Sequence, residues 1–497
     1  MNGRPHTLRT SVAHGIAVLC AAVLLDLSAC GGGGDSSGTP PSDIGTLAYV
    51  VTQCSETGRK ALFSEHQALH ILHGARDVTV METPGVGPVS TGVVGLCKGL
   101  TLLRNGELSI LRDAFQGLAV SPDGAAVVFE ITDDFSVDPK LPLGLAPDQK
   151  GIFSVRADGS GLRPLGPPSR LPFFYIEDNG GFIFFLVSFA FSPDSRMVTF
   201  ADTGPDAAGH EAGQLMTLDV NSGERRQVTH LPPGIPPPNH SRAPSVRDPF
   251  FIDNQTIGFF TFANPDGLNP AGNLAPFTVS LIDGTLKAVP LPVALQGSQI
   301  DFTFAITGDK PAAIMLPVPG EPKNHIPGRT GIREVFAIDG SNEIQLTNFQ
   351  REETGEVQIF DVDRQTVYFE ASADPFGTNP SENCQIFSVD RLGGNLRQLT
   401  SFSEGPQATS GCDFSDEPLS GCTSLILNQD SRTRILVFYS SCDPFDTTNH
   451  SGAQVFAMHP DGSGLRQLTQ TQGVATQPDG TVTRELPGPS AYGPYLP

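Results

Sequence analysis

The hexapeptide Asp-Gly-Ser-Gly-Leu-Arg is written twice, at 158–163 and at 461–466. Each copy follows a short run in which apolar and polar residues alternate, IFSVRA in the first case and VFAMHP in the second. Alternation of period two marks half-buried strands, and Asp-Gly and Ser-Gly pairs mark tight hairpin turns. A glycine loop that cradles phosphate would have to open a helix, and both copies lie between strand patterns instead. Looser versions fill the interval: LMTLDVNSGERRQVT (215–229), FTVSLIDGTLKAVPL (277–291), VFAIDGSNEIQLT (335–347) and IFSVDRLGGNLRQLT (386–400). The hexapeptide is a turn repeated because a larger unit is repeated.

That unit has an earlier half, an apolar strand, a tight turn and a strand ending in an aromatic. It reads GLAVSPDGAAVVFE at 117–130 and FAFSPDSRMVTFAD at 189–202, with looser copies starting at 250, 302, 357 and 425. Each complete unit offers four strands in two hairpins. The turn aspartates Asp158, Asp219, Asp283, Asp339, Asp390 and Asp461 recur every 51 to 71 residues, longer than the ~40–50 residues of common propeller repeats. The excess lies in inserts between the halves, at 133–150, 264–274, 373–384 and 443–452. Four-stranded repeats with no long helical period indicate an all-β chain folded as a β-propeller, in which blades bury faces that none could bury alone. Six clear units, with residues 44–115 as a further blade, give seven four-stranded blades; six or eight stay open. The tail at 473–485 is expected to supply a closing strand.

Ser121-Pro122-Asp123-Gly124, Ser192-Pro193-Asp194 and the halves at 152–165, 386–400 and 455–469 resemble the TolB-like propeller repeat, also called the Pro-Asp, WD-like repeat. The resemblance covers roughly 117–472 and implies the fold. It does not extend to the α/β domain that precedes the TolB propeller, so a Tol–Pal role does not carry over. Tryptophan, a mark of true WD repeats, is absent.

Arg4 and Arg9 precede an apolar run, Gly15 to Leu25, that is too short to span a bilayer and suits a signal-peptide core. Leu27-Ser28-Ala29-Cys30 follows and resembles a bacterial lipobox. It implies a signal peptide at 1–29, lipidation of Cys30 and export. Gly31 after the cysteine implies the outer membrane of a Gram-negative cell, on its periplasmic side. Residues 30–43 read as a flexible Gly/Ser/Pro tether, 44–486 as the propeller and 487–497 as a C-terminal tail. The tether's Gly34-Asp35-Ser36-Ser37-Gly38 lacks the strand and helix of a nucleophile elbow, and no hydrolase domain is expected after 472.

The formal net charge of −22 argues against nucleic acid as a partner. The even set Cys54, Cys97, Cys384, Cys412, Cys422 and Cys442 suggests disulfides in an oxidising compartment, most simply Cys54–Cys97 with two bridges in the later cluster.

His66, His70 and His73 are weak metal candidates. On a helix they would share a face, but in a strand His66 and His70 point one way and His73 the other. The inserts hold near copies, Asp374-Pro375-Phe376-Gly377-Thr378-Asn379 and Asp443-Pro444-Phe445-Asp446-Thr447-Thr448-Asn449, with Asn264-Pro265-Asp266-Gly267 in the same slot. Asp/Asn-Pro turn chemistry accounts for part of this pattern, and the spacing does not match a calcium loop. Loops on one end of a repeat array are often its contact surface, so Asp266, Asp374, Phe376, Asn379, Asp443, Phe445 and Asn449 form the candidate binding rim. The chain therefore reads as a binding or scaffold module for a protein, peptide or glycan, with no cofactor and no catalytic residue. The alternative is a propeller-fold polysaccharide lyase or other metal-dependent enzyme acting in the central funnel.

Overall fold

The computed structural model describes residues 45–57, 62–90, 114–132, 145–170, 174–176, 182–184, 189–234, 245–290 except 273, 305–307, 310–317, 333–339, 342–349, 358–362, 366–402 except 381 and 382, 424–426, 435–440, 442, 444, 445 and 454–493. The signal segment, Cys30, the tether, Cys97, Cys412, Cys422, Asp443 and Asn449 lie outside them.

Six four-stranded antiparallel sheets follow one another, within 115–166, 190–227, 247–288, 305–345, 358–398 and 424–467. In each, strands pair in sequence order. These are the blades expected from the repeat. The Ser-Pro-Asp turns follow the first strands of the first two blades, and the Asp-Gly turns at 158–159, 283–284 and 461–462 follow third strands.

Cross-strand phenylalanines form the centre of the blades. Phe129 pairs with Phe153, Phe259 with Phe277, Phe369 with Phe387 and Phe438 with Phe456. Their ring centroids lie 5.5 to 6.1 Å apart, the offset-stacked range. Apolar clusters then join neighbours. Val128 and Ile152 of the first blade meet Phe189 and Phe200 of the second. Leu215 meets Phe251 and Ile257 of the third, Val335 meets Val367, and Tyr368 meets Leu436.

A different sheet closes the ring. Strands β1 (Thr46–Thr57), β2 (Leu62–His73), β3 (Arg76–Glu82) and β4 (Val86–Ser90) combine with Gly473–Thr476 and Thr481–Gly493. The expected seventh four-stranded blade is thus a six-stranded sheet built from both ends of the chain. Thr481–Gly493 pairs along β1 from Thr57 to Thr46. It runs on through 487–493, residues read from the sequence as a tail, because β1 supplies ladder partners that far. One face of the sheet packs Ala48, Val50, Leu69 and Ile71 against Phe115 and Phe129 of the first blade. The other packs Leu47, Tyr49, Val51 and Leu72 against Val437 and Val455 of the sixth.

The two ends of the ring differ. Turns from both hairpins of a blade meet at one end, as Ala157 N donates to Ala125 O (2.9 Å) and Val220 N to Arg196 O (2.8 Å). Adjacent blades touch there too: Asp123 N donates to Ser195 Oγ (3.3 Å) and Asp194 N to Asn254 Oδ1 (3.0 Å). This is the turn end. Strand alternation then puts the inserts and the links between blades at the opposite, insert end.

The repeated glycine has a reason. Asp158 Oδ1 accepts from Ser160 N (2.8 Å) and Ser160 Oγ (2.6 Å), and Asp461 repeats this with Ser463 (2.9 and 2.7 Å). These hydroxyl and amide bonds hold both carboxyls below the usual carboxylate range. They also curl the turn so that Gly159 (φ +81) and Gly462 (φ +86) abut the outer strand of the preceding sheet. A Cβ on Gly462 would stand 2.8 Å from Leu399 O, and one on Gly159 2.8 Å from Val78 Cγ1. Gly284 shares the backbone geometry (φ +73), but nothing lies within 4 Å of its added Cβ. Gly462→Ala is therefore expected to destabilise by about 2 kcal/mol or more and Gly284→Ala by about 1 kcal/mol. Equal thermal midpoints for the two variants would show that the turn does not interlock the blades.

Candidate binding rim at the insert end

The insert loops share one internal frame. In Ala-Asn-Pro-Asp-Gly-Leu-Asn (263–269), Asn264 Oδ1 accepts from Asn269 N (2.7 Å), and Asn269 Nδ2 donates to Ala263 O (3.0 Å). In Ala-Asp-Pro-Phe-Gly-Thr-Asn (373–379), Asp374 Oδ1 accepts from Asn379 N (2.8 Å). Asn379 Nδ2 donates to Ala373 O (3.2 Å) and Asn383 O (2.8 Å), and its Oδ1 accepts from Gln385 Nε2 (3.1 Å). A side chain five residues upstream closes each loop, and the terminal Asn ties it to the blade.

This arrangement divides the candidate rim residues. Asn379 is only 2% exposed and faces inward, so it supports the rim and is not part of its surface. Asp374 spends an oxygen on its own loop. Asp266 and Phe376 occupy equivalent tips and face solvent, Phe376 with 49% of its surface. Phe445, in the same position one blade on, is 43% exposed, and its ring lies 6.3 Å from the buried Phe456. Leu268 beside Asp266 is 48% exposed.

The inner Gln belongs to a brace that the sequence pattern did not reveal. Gln385 Oε1 accepts from Thr400 Oγ1 (2.7 Å) and Phe402 N (3.0 Å), and its Nε2 donates to Phe402 O (2.8 Å). Gln214 with Thr229 and Leu231, and Gln454 with Thr469 and Thr471, repeat the set. Each threonine hydroxyl also accepts the backbone N–H after its glutamine, at 2.9 Å in all three blades. The Val-Thr at 228–229 and the Leu-Thr at 399–400 and 468–469 are thus one half of a buried clamp at the insert end. A Gln at the start of the third strand, answering a Thr 15 residues later, was the available signal.

The closing sheet adds a wall beside this rim. Residues 46–51 of β1 are buried within the ring, whereas most of 52–57 is partly exposed. With 12 residues β1 outruns the 6-residue second strand of the first blade by about 20 Å. β4 and Gly473–Thr476 flank that projecting half. Cys54 and His66 lie there, and Gln53 Nε2 donates to Glu485 Oε1 (3.1 Å).

The three histidines do not converge. β2 spaces His66, His70 and His73 along one extended strand, His66 and His73 about 23 Å apart, too far to share an ion. His70 stacks on Tyr49 (5.2 Å between centroids) with Nδ1 3.5 Å from Asp77 Oδ1. The Tyr49 hydroxyl donates to Asp77 Oδ2 (2.6 Å). Burial pushes the Tyr49 phenol up. At Asp77 burial also acts upward, but bonds from His70 and Tyr49 outweigh it and hold the carboxyl below its usual range. His73 Nδ1 bonds Thr46 Oγ1 (2.8 Å) at the turn end. Among the described residues no three His, Cys, Asp or Glu side chains gather around a common point.

Buried charge between the first two blades is likewise already paired. Glu130 accepts from Ser169 N (3.1 Å) and Oγ (3.0 Å). Asp202 accepts from Arg170 N (2.6 Å) and pairs with Arg225, whose guanidinium lies 4.8 Å from the Phe200 centroid. These groups fasten the link between blades.

No protein-family model matches the sequence, and no curated protein matches it. Solved structures do. The β-propeller domain of the Trilobed protease from Pyrococcus furiosus aligns at 10% identity over 72% of this chain and 86% of its own, with a TM-score of 0.38. A putative TolB from Agrobacterium tumefaciens aligns at 13% over 89% and 99%, with a TM-score of 0.30. An oligogalacturonate lyase from Vibrio parahaemolyticus aligns at 10% over 81% and 89%, with a TM-score of 0.38. The sheet order and the ring of inter-blade clusters establish the fold directly: this is an all-β, β-propeller protein.

Proposed function

We propose that the protein is an exported, lipid-anchored propeller that binds a protein, peptide or glycan partner at its insert end. One observation carries the reading. Loops in equivalent slots are braced from inside by buried Asn269 and Asn379, yet they hold Asp266, Leu268 and Phe376 out to solvent, and Phe445 is displayed in the same slot of the next blade. A fixed frame with exposed apolar tips is preorganised for contact, since little ordering cost falls due on binding. Lipidation at Cys30 and residence at the periplasmic side of an outer membrane belong to this proposal, as do disulfides. The even set of Cys54, Cys97, Cys384, Cys412, Cys422 and Cys442 in an exported chain supports the disulfides.

The double variant Phe376→Asp/Phe445→Asp tests the rim. It is expected to lose the partner recovered by wild-type protein from envelope extract while its unfolding free energy stays within about 1 kcal/mol. Full retention of that partner refutes the rim. Separately, Cys30→Ala protein that still takes up labelled palmitate refutes the anchor.

A further inference from the structure

We infer that the ring is carried with its turn end toward the anchoring membrane and its insert end facing away from it. This rests on the lipid-anchor reading above and deepens it, by saying which space the partner must occupy.

The observation is the direction of β1. Its first residue, Thr46, donates from Oγ1 to Gly124 O (2.6 Å), in the Ser-Pro-Asp-Gly turn of the first blade. Thr46 also pairs with His73 and with Gly493. The chain therefore enters the ring at the turn end. β1 then crosses the ring and carries Cys54 and Thr57 out past the insert end.

Chain length favours this orientation. Cys30 and Thr46 are 16 residues apart, which spans at most about 55 Å when fully drawn out. β1 is 12 residues long, about 40 Å. With the turn end inward, no part of that reach is consumed in passing the ring. With the ring inverted, the segment before Thr46 would have to run back along the full length of β1. That uses roughly three quarters of its reach and removes most of its conformations. Among the described residues, the exposed apolar tips of the insert end are separate side chains, Leu268, Phe376 and Phe445.

The partner follows from the geometry. Phe376, Phe445, Leu268 and the projecting half of the closing sheet face the aqueous space opposite the anchoring leaflet. The tips exposed at the turn end, Ile282 (72%) and Leu392 (77%), face the bilayer. A partner residing in the aqueous space or on a facing surface fits the rim; the lipids of the anchoring leaflet do not.

Fluorescence quenching tests this on the full lipidated protein in phosphatidylcholine vesicles that contain headgroup spin-labelled lipid. Bimane is attached through Ile282→Cys, Leu392→Cys or Phe376→Cys, each at an exposed tip, with the two turn-end sites checking one another. The expected result is loss of emission at 282 and 392 and none at 376. Loss at 376 with bright labels at 282 and 392, equal loss at all three, or no loss at any site on floating vesicles overturns the orientation and leaves the anchor standing. Protein that does not float with the vesicles overturns the anchor and the orientation with it.

Discussion

A chain ending at Gln472 should lose its cooperative unfolding transition. Truncation there removes Gly473–Thr476 and Thr481–Gly493, and with them the ladder that β1 makes from Thr46 to Thr57. Each blade depends on neighbours for both faces, so opening the ring at one sheet exposes Leu47, Tyr49, Val51 and Phe115, all buried in the intact ring. At about 1.5–3 kcal/mol for each side chain, that loss is comparable to the whole margin of about 5–15 kcal/mol that keeps a domain folded. Far-ultraviolet circular dichroism should show a broad melt, and a hydrophobic dye should bind before heating. A sharp transition at the wild-type midpoint would show that the ring does not need its closing strand.

Gln385→Leu should be the most damaging single substitution outside the apolar centre. The change keeps volume but removes the acceptor of the Thr400 hydroxyl proton and of the Phe402 backbone N–H, and the donor to Asn379 Oδ1, in a buried site. Each orphaned group costs about 1–3 kcal/mol, so a total of about 4 kcal/mol is expected. Thr400→Ser keeps the hydroxyl and should cost under about 1 kcal/mol. The test is the pair of denaturant midpoints; a small effect of Gln385→Leu would make the brace incidental. Because Asn379 ties the rim loop to Gln385, the variant should also loosen partner binding.

Sequence alone revealed the blades because their signals are local. Alternation, Asp-Gly turns and the aromatic ending of the second strand sit within a dozen residues of one another, and the structure places all three as read. The closing sheet was legible only in part. The tail's role as a closing strand could be anticipated, but the extension to Gly493 depends on pairing with β1, which no local pattern announces. Phe376 and Asn379 belong to one motif, yet one faces out and the other in, since an Asn beyond a Pro-Gly turn reaches back to the carbonyls that precede it. The Gln brace escaped notice because its halves are separated by a strand and a turn, and each half alone resembles ordinary polar sequence.

The closing sheet also sets a timetable. Gln53 and Glu485, bonded across it, are 432 residues apart. At a synthesis rate of roughly 5–20 residues per second, β1 emerges roughly 20–90 s before the strand that completes it exists. For that interval an apolar edge, Leu47 to Val51, waits without its partner, and such edges invite aggregation. The same joint that seals the finished ring makes the nascent chain dependent on whatever escorts it across the interval.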